Sequence, residues 1–187
     1  MIKLIVTDFD GTLVDTFEAN LRAYQDAFSQ VDITLTADKY RKCFGYRFDR
    51  FMSEMAIDDE LVAKTIKDAK KNAYPKYFGY LRPNKALVSL IGTAKAHGIK
   101  TAIASTARKE NLMNAVNYLG IADNFDLIFA GIDVKQGKPS PEIYLKVMEH
   151  FDISSAETLI FEDSAVGIEA AKASGAQYMI VPKEQFD

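Results

Sequence analysis

Two aspartates one residue apart, Asp8 and Asp10, follow the apolar run Ile2-Lys3-Leu4-Ile5-Val6 after Thr7. A short run of that kind reads as a buried strand. Alternate residues at its end send both carboxylates to the same side. Two close like charges repel, so the ionised pair persists only beside a cation or strong donors. Gly11 then lets the chain turn sharply, and Thr12 adds a hydroxyl beside the acids. A strand that ends in two acids, a glycine and a hydroxyl suits a metal and an anionic substrate. The plainer alternative is an acidic turn capping the next helix.

These acids need a frame. From about residue 81 onward helical and strand signals alternate: 84–97 reads as a helix, Ile99 to Ala104 as a strand, 108–118 as a helix and Phe125 to Ala130 as a strand. A helix from Pro141 to His150, a strand from Thr158 to Phe161, a helix from Ser164 to Ser174 ended by Gly175, and a strand from Tyr178 to Val181 follow. Near-continuous apolar strands alternating with helices predict a parallel sheet covered on both faces. Counting the first, there are five strands. Residues 15–80 break the rhythm, with amphipathic helical stretches near 17–29, 37–43, 47–56 and 58–74 and no convincing strand. The expected organisation is an α/β core of residues 1–14 and 81–187, a five-stranded parallel Rossmann-like sheet flanked by helices, with residues 15–80 inserted as an α-helical cap. Emerging where the acidic motif sits, that insert would form a lid, with Thr16 as the cap of its first helix.

Ligands of open parallel sheets bind outside the carboxyl ends of the strands. The first strand delivers Asp8 and Asp10 there, and the second Ser105 and Thr106, with Arg108 and Lys109 at a helix start. Gly137-Lys138-Pro139-Ser140-Pro141 follows the third, and Glu162 and Asp163 end the fourth, with Ser164 placed to cap the next helix. These group types fit phosphoryl transfer, which needs a nucleophile, a metal against phosphate charge, donors for the equatorial oxygens and an acid/base for the leaving group. Aspartate can itself be the nucleophile, and Mg2+ needs only a few oxygen ligands beside its waters. Ser105 could instead cap the helix that follows, and Lys138 and Arg108 could be solvated surface charges.

The run Asp8-Phe9-Asp10-Gly11-Thr12-Leu13-Val14-Asp15-Thr16, then Ile103-Ala104-Ser105, Lys138 within Gly-Lys-Pro-Ser-Pro-Glu, and Phe161-Glu162-Asp163-Ser164 with Gly167 resemble, in order, the four motifs of haloacid dehalogenase superfamily phosphohydrolases. The nearest likeness is to the subgroup of β-phosphoglucomutase and phosphoglycolate phosphatase, which carries a helical cap. The resemblance spans essentially the whole chain. It implies that Asp8 attacks phosphorus and ligates Mg2+, that Asp10 protonates the leaving oxygen, activates water and offers its carbonyl to the metal, and that Asp163 is a further metal ligand. It also implies that Ser105, the Thr106 amide and Lys138 hold the phosphoryl group, with Gly11, Thr12 and Arg108 lining the substrate site. Glu162, on the opposite parity, is expected near the metal's water shell at most. In the subgroup the loop equivalent to Phe44–Phe51 contributes to substrate selection. That makes Tyr46, Arg47 and Arg50 candidates for the part of the substrate away from the phosphate; the alternative is aromatics packing the lid and arginines in solvent.

The expected activity is Mg2+-dependent hydrolysis of a small phosphorylated metabolite through an aspartyl-phosphate on Asp8. A phosphomutase of the β-phosphoglucomutase type is the nearest alternative; Asn20 stands where such mutases carry a histidine, which favours water as acceptor. A phosphate-binding protein without catalysis is the alternative from another class. Asp10 argues against dehalogenase chemistry, which uses no second acid. At 187 residues and 48% apolar content the chain can bury one substantial core with an accessory unit. A net charge of −3 provides no general field for nucleic acid. The lone Cys43 forms no internal disulfide, and no apolar run reaches membrane-spanning length. A cytoplasmic protein with no membrane or nucleic-acid partner is expected, and its oligomeric state is not legible. His97 and His150, late in helices, are assigned no chemistry.

Overall fold

In the computed structural model, which describes residues 1–182 and 186, the first apolar run forms a strand buried on both faces, Leu4–Thr7 (β1). Along the chain follow β2 (Val14–Asp15), α1 (Phe17–Ser29), α2 (Ala37–Cys43), α3 (Phe48–Glu54), α4 (Glu60–Ala73) and β3 (Arg82–Pro83). Then come α5 (Lys85–Ala96), β4 (Lys100–Ala104), α6 (Lys109–Tyr118), β5 (Leu127–Phe129), α7 (Glu142–Phe151), β6 (Thr158–Glu162), α8 (Ala165–Ala173) and β7 (Gln177–Ile180). The chain divides into two compact units, Met1–Asp15 with Arg82–Asp187, and Thr16–Leu81.

The first unit is built on a five-stranded parallel sheet in the order β5-β4-β1-β6-β7. β1 lies at the centre, and each of its residues is buried, as a strand enclosed by strands on both edges and helices on both faces requires. Its register sets the level of the strand ends: Thr7 lies opposite Ile103 of β4 and Phe161 of β6. The residues that follow each strand are therefore drawn to one rim. Leu4, Val6, Ala102, Ala104 and Ile160 pack against Ile143, Tyr144 and Val147 of α7 and Ala170 and Ala171 of α8. The small residues of α8 let it lie close to the sheet. Asn84 begins α5, its buried side chain accepting a hydrogen bond from the Leu87 amide at 3.0 Å.

Several local expectations are adjusted. The strand read from Phe125 to Ala130 is only Leu127–Phe129, since the Phe125 amide closes a tight turn on the Ala122 carbonyl. Pro141 is the N-cap of α7, one position ahead of the first turn. An antiparallel ribbon, Val14 opposite Pro83 and Asp15 opposite Arg82, has no counterpart in the sequence reading, because two-residue strands are too short to carry a period.

The second unit contains α1–α4 and a 3-10 turn over Tyr74–Tyr80. Leu21, Phe28, Tyr40, Phe51, Met52 and Ile66 form its core, and Tyr24 meets Phe51 edge-on at 5.0 Å between ring centroids. Cys43 is buried there and unpaired. Asp59 caps α4, accepting from the Leu61 and Val62 amides at 2.8 and 3.1 Å. Thr16, expected as the cap of α1, occupies the N-cap position but its side chain makes no capping hydrogen bond, because its backbone (φ −110°, ψ 2°) is not the extended form a cap requires. Among the described residues no helix is long and apolar enough to cross a membrane. Replacing Ile160, fully buried at the centre of the first unit, by alanine is expected to lower its stability by about 3 kcal/mol. The lower midpoint of urea unfolding at unchanged slope measures this.

Candidate active site

The end of β1 turns back on itself. Phe9, between the two aspartates, is buried in the core. The Gly11 amide donates to the Val14 carbonyl at 2.8 Å and the Val14 amide to the Phe9 carbonyl at 2.9 Å. Gly11 has φ +93°, and a Cβ there would lie 2.6 Å from Asp163 Oδ2, so both conformation and proximity require glycine. Thr12 Oγ1 donates to Asp163 Oδ1 at 2.7 Å. This bond orients Asp163.

Lys138 reaches the same rim from the loop before α7. The Glu142 carboxylate ties that loop down, accepting from the Lys135 and Gln136 amides at 2.9 and 2.7 Å, which lowers its pKa. The Lys138 side chain is only 3% exposed. Its Nζ donates to Asp8 Oδ1 at 2.5 Å, Glu162 Oε1 at 2.6 Å and the Ala104 carbonyl at 3.0 Å. Burial disfavours the charge, but the Asp8 and Glu162 carboxylates more than offset this and hold the ammonium well above the ordinary lysine pKa. Glu162 is likewise opposed by burial, yet Lys138 and its hydrogen bonds leave its pKa lowered. The imbalance falls on Asp8. Burial raises its pKa well above the carboxylate range, Glu162, Asp163 and Asp10 push the same way, and Lys138 opposes them. Four carboxylates here face one ammonium, and a divalent cation would redress that deficit.

Oxygens of Asp8, Glu162 and Asp163 come within 4.8 Å of one another. Glu162 is nevertheless poorly placed as a ligand. Its Oε1 accepts from Lys138 and from Tyr144 Oη at 2.9 Å, and its Oε2 from the Asp163 amide (3.0 Å), the Ser164 amide (3.1 Å) and Ser164 Oγ (3.1 Å). Asp8 and Asp163 are the carboxylates left to hold a cation, a hard oxygen set that fits Mg2+. Gly167 makes the arrangement possible, since a Cβ there would overlap the Glu162 carboxylate. Ser164 also caps α8, accepting from the Gly167 amide at 3.1 Å.

Ser105 is buried, 3.4 Å from Asp10 Oδ2, and accepts from the Ala107 amide at 3.0 Å. It closes the turn after β4 and does not cap α6, whose N-cap is Arg108. Gly131 passes so close to the Thr106 carbonyl that a Cβ would lie 2.6 Å from it, which fixes the backbone of that turn. Arg108 lies 3.9 Å from Glu110, and Lys109 pairs with Asp133 at 3.0 Å. Asp8, Asp10, Thr12, Ser105, Lys138, Glu162 and Asp163 thus gather within the first unit. Tyr46, Arg47 and Arg50 belong to the second, where the Arg50 guanidinium stacks 3.8 Å from the Tyr46 ring centroid and Arg47 lies 3.9 Å from Asp49.

The pairing of Glu162 with Lys138 and the presence of Tyr144 in the cluster were not expected from the sequence. Glu162 was expected to turn away from Asp163, and it does, but into the core and onto Lys138. A carboxylate at a buried strand position demands a cationic partner, which was the available signal. Tyr144, fully buried beside Ile143 and Val147, carries no such mark, because an aromatic on a core-facing helix reads as packing.

Residues 5–181 match the family model described as haloacid dehalogenase-like hydrolase. The chain is 29% identical to a phosphorylated carbohydrates phosphatase of Thermotoga maritima, over 94% of this chain and 83% of that protein. It is 27% identical to a β-phosphoglucomutase of Bacillus subtilis, over 93% and 80%. A structure of a CbbY variant from Rhodobacter sphaeroides in complex with xylulose-1,5-bisphosphate superposes with a TM-score of 0.86 at 28% identity, over 97% of this chain and 87% of that one. With the family model matching nearly the entire chain around a rim of paired acids and a buried lysine, the protein belongs to the haloacid dehalogenase-like hydrolases.

Proposed function

We propose that this protein is a Mg2+-dependent phosphatase that hydrolyses a small phosphorylated metabolite, with phosphorylated carbohydrates as the favoured class. The observation that carries the reading is the buried Lys138 ammonium on Asp8, in a cluster whose remaining charges are carboxylates. A phosphate dianion entering such a cluster needs more positive charge than one lysine supplies. Asp8, Asp163 and the Asp10 carbonyl are the groups to hold Mg2+, which when bound offsets the charge of the carboxylates and of the phosphate. The phosphatase and the CbbY complex among the similar proteins support a sugar phosphate as substrate.

In this reading an Asp8 oxygen attacks phosphorus, and the bond to the ester oxygen breaks as Asp10 gives that oxygen a proton. Lys138, Ser105 Oγ and the Thr106 amide hold the phosphoryl oxygens. Asp10, now a carboxylate, takes a proton from water as that water attacks the aspartyl-phosphate. The P–O bond to Asp8 breaks, phosphate leaves, and both aspartates return to their starting states. Asn20 in place of the mutase histidine favours water over a sugar hydroxyl as acceptor. Tyr46 and Arg47, with Arg50, are assigned to selection of the group esterified to phosphate, and Arg108 to an anionic part of the substrate.

Assayed with p-nitrophenyl phosphate and a panel of sugar phosphates, the protein is expected to release phosphate only with Mg2+, and chelation is expected to lower the rate at least ~100-fold. Asp8→Asn is expected to reduce kcat by ~10⁴-fold or more while remaining folded. Full activity in that variant would remove Asp8 as nucleophile. Conversion of a hexose 1-phosphate to its isomer, primed by a bisphosphate and without net phosphate release, would identify a mutase instead.

A further inference from the structure

The reaction outlined above leaves Glu162 and Tyr144 without a task. An ammonium has three N–H donors, and those of Lys138 are taken by Asp8, Glu162 and the Ala104 carbonyl. Two of these partners cannot move. The Ala104 carbonyl is part of β4, and Glu162, fully buried at the end of β6, accepts four further hydrogen bonds from Tyr144, Asp163 and Ser164 under the close approach of Gly167. The bond to Asp8 is the one that must yield, because the attacking carboxylate gives up its charge as its bond to phosphorus forms.

We propose that Glu162, held by the buried Tyr144 hydroxyl, is a positioning residue that retains a fixed share of the Lys138 charge and so limits how tightly the lysine grips Asp8 and the phosphoryl group. The proposal rests on the phosphatase reading. A lysine paired with Asp8 alone would close on it and blunt the nucleophile. The same lysine would also close on the product phosphate and slow its release. Negative charge behind the ammonium opposes anion binding in front of it and relieves both effects. Removal of that charge therefore strengthens anion binding while it slows turnover. Loss of packing would weaken phosphate binding and turnover together.

The test measures kcat and KM for p-nitrophenyl phosphate with Mg2+, and Ki for inorganic phosphate, with folding followed by thermal unfolding. Glu162→Gln is expected to lower the phosphate Ki about tenfold and kcat by a similar factor. Tyr144→Phe frees Oε1 to hold Lys138 more strongly, so Ki and KM are expected to rise together about threefold. A Glu162→Gln protein that folds with an unchanged or raised Ki overturns the proposal and leaves Glu162 a structural role. If Glu162→Gln does not fold, Tyr144→Phe decides: an unchanged or lower Ki, or failure of this variant to fold as well, overturns it. A wild type without Mg2+-dependent turnover removes the phosphatase reading and this one with it. An active wild type with unaltered variants removes this one alone.

Discussion

The Lys138 ammonium, enclosed at the ends of three parallel strands, is the interaction on which the site depends. Burying a charge is costly unless other groups replace the water it loses. Here the replacements come from β1 (Asp8 just beyond it), β4 (the Ala104 carbonyl) and β6 (Glu162). None of these is near Lys138 in the chain. The sheet register that levels Thr7 with Ile103 and Phe161 is what makes one ammonium reachable from all three. Demands then spread outward. Glu162 needs donors for both its oxygens, which Tyr144, Asp163 and Ser164 supply, and α8 must carry glycine at 167 to leave room for the carboxylate.

The acids of the cluster are alike in type and differ in surroundings. Glu162, paired with Lys138 and saturated with hydrogen bonds, has its pKa lowered against burial, whereas burial and three neighbouring carboxylates raise that of Asp8 against one lysine. Asp163 is held by Thr12 against the Gly11 turn. Separate environments for like groups are how one rim can divide buttress, nucleophile and cation ligand among carboxylates. On the proposed reading the deficit of positive charge at Asp8 is the property that recruits the metal, which together with Lys138 would offset the charge of the phosphate ester.

Much of the frame was legible in the sequence. Continuous apolar runs at Leu4, Ala102 and Ile160 marked strands buried on both faces, and the acids, Ser105 and Asp163 at their ends, with Lys138 in the loop before α7, marked the rim. The α1–α4 boundaries followed helical periodicity closely, since each helix buries one stripe. The ribbon of Val14–Asp15 with Arg82–Pro83 was not legible, because residues far apart in the chain define it and two residues have no period. Thr16 has the type of a cap and the position of one, but its backbone conformation denies it the bond.

The sequence by itself determined which chemical groups stand at the strand ends, and hence the family and class of chemistry, because residue type and local periodicity are properties of short segments. Only the tertiary structure decided how those groups pair. That Glu162 pairs with Lys138, that Thr12 holds Asp163, and that Tyr144 supports the whole from α7 depend on contacts between segments up to 151 residues apart. Electrostatics acts through space, and the fold sets those distances.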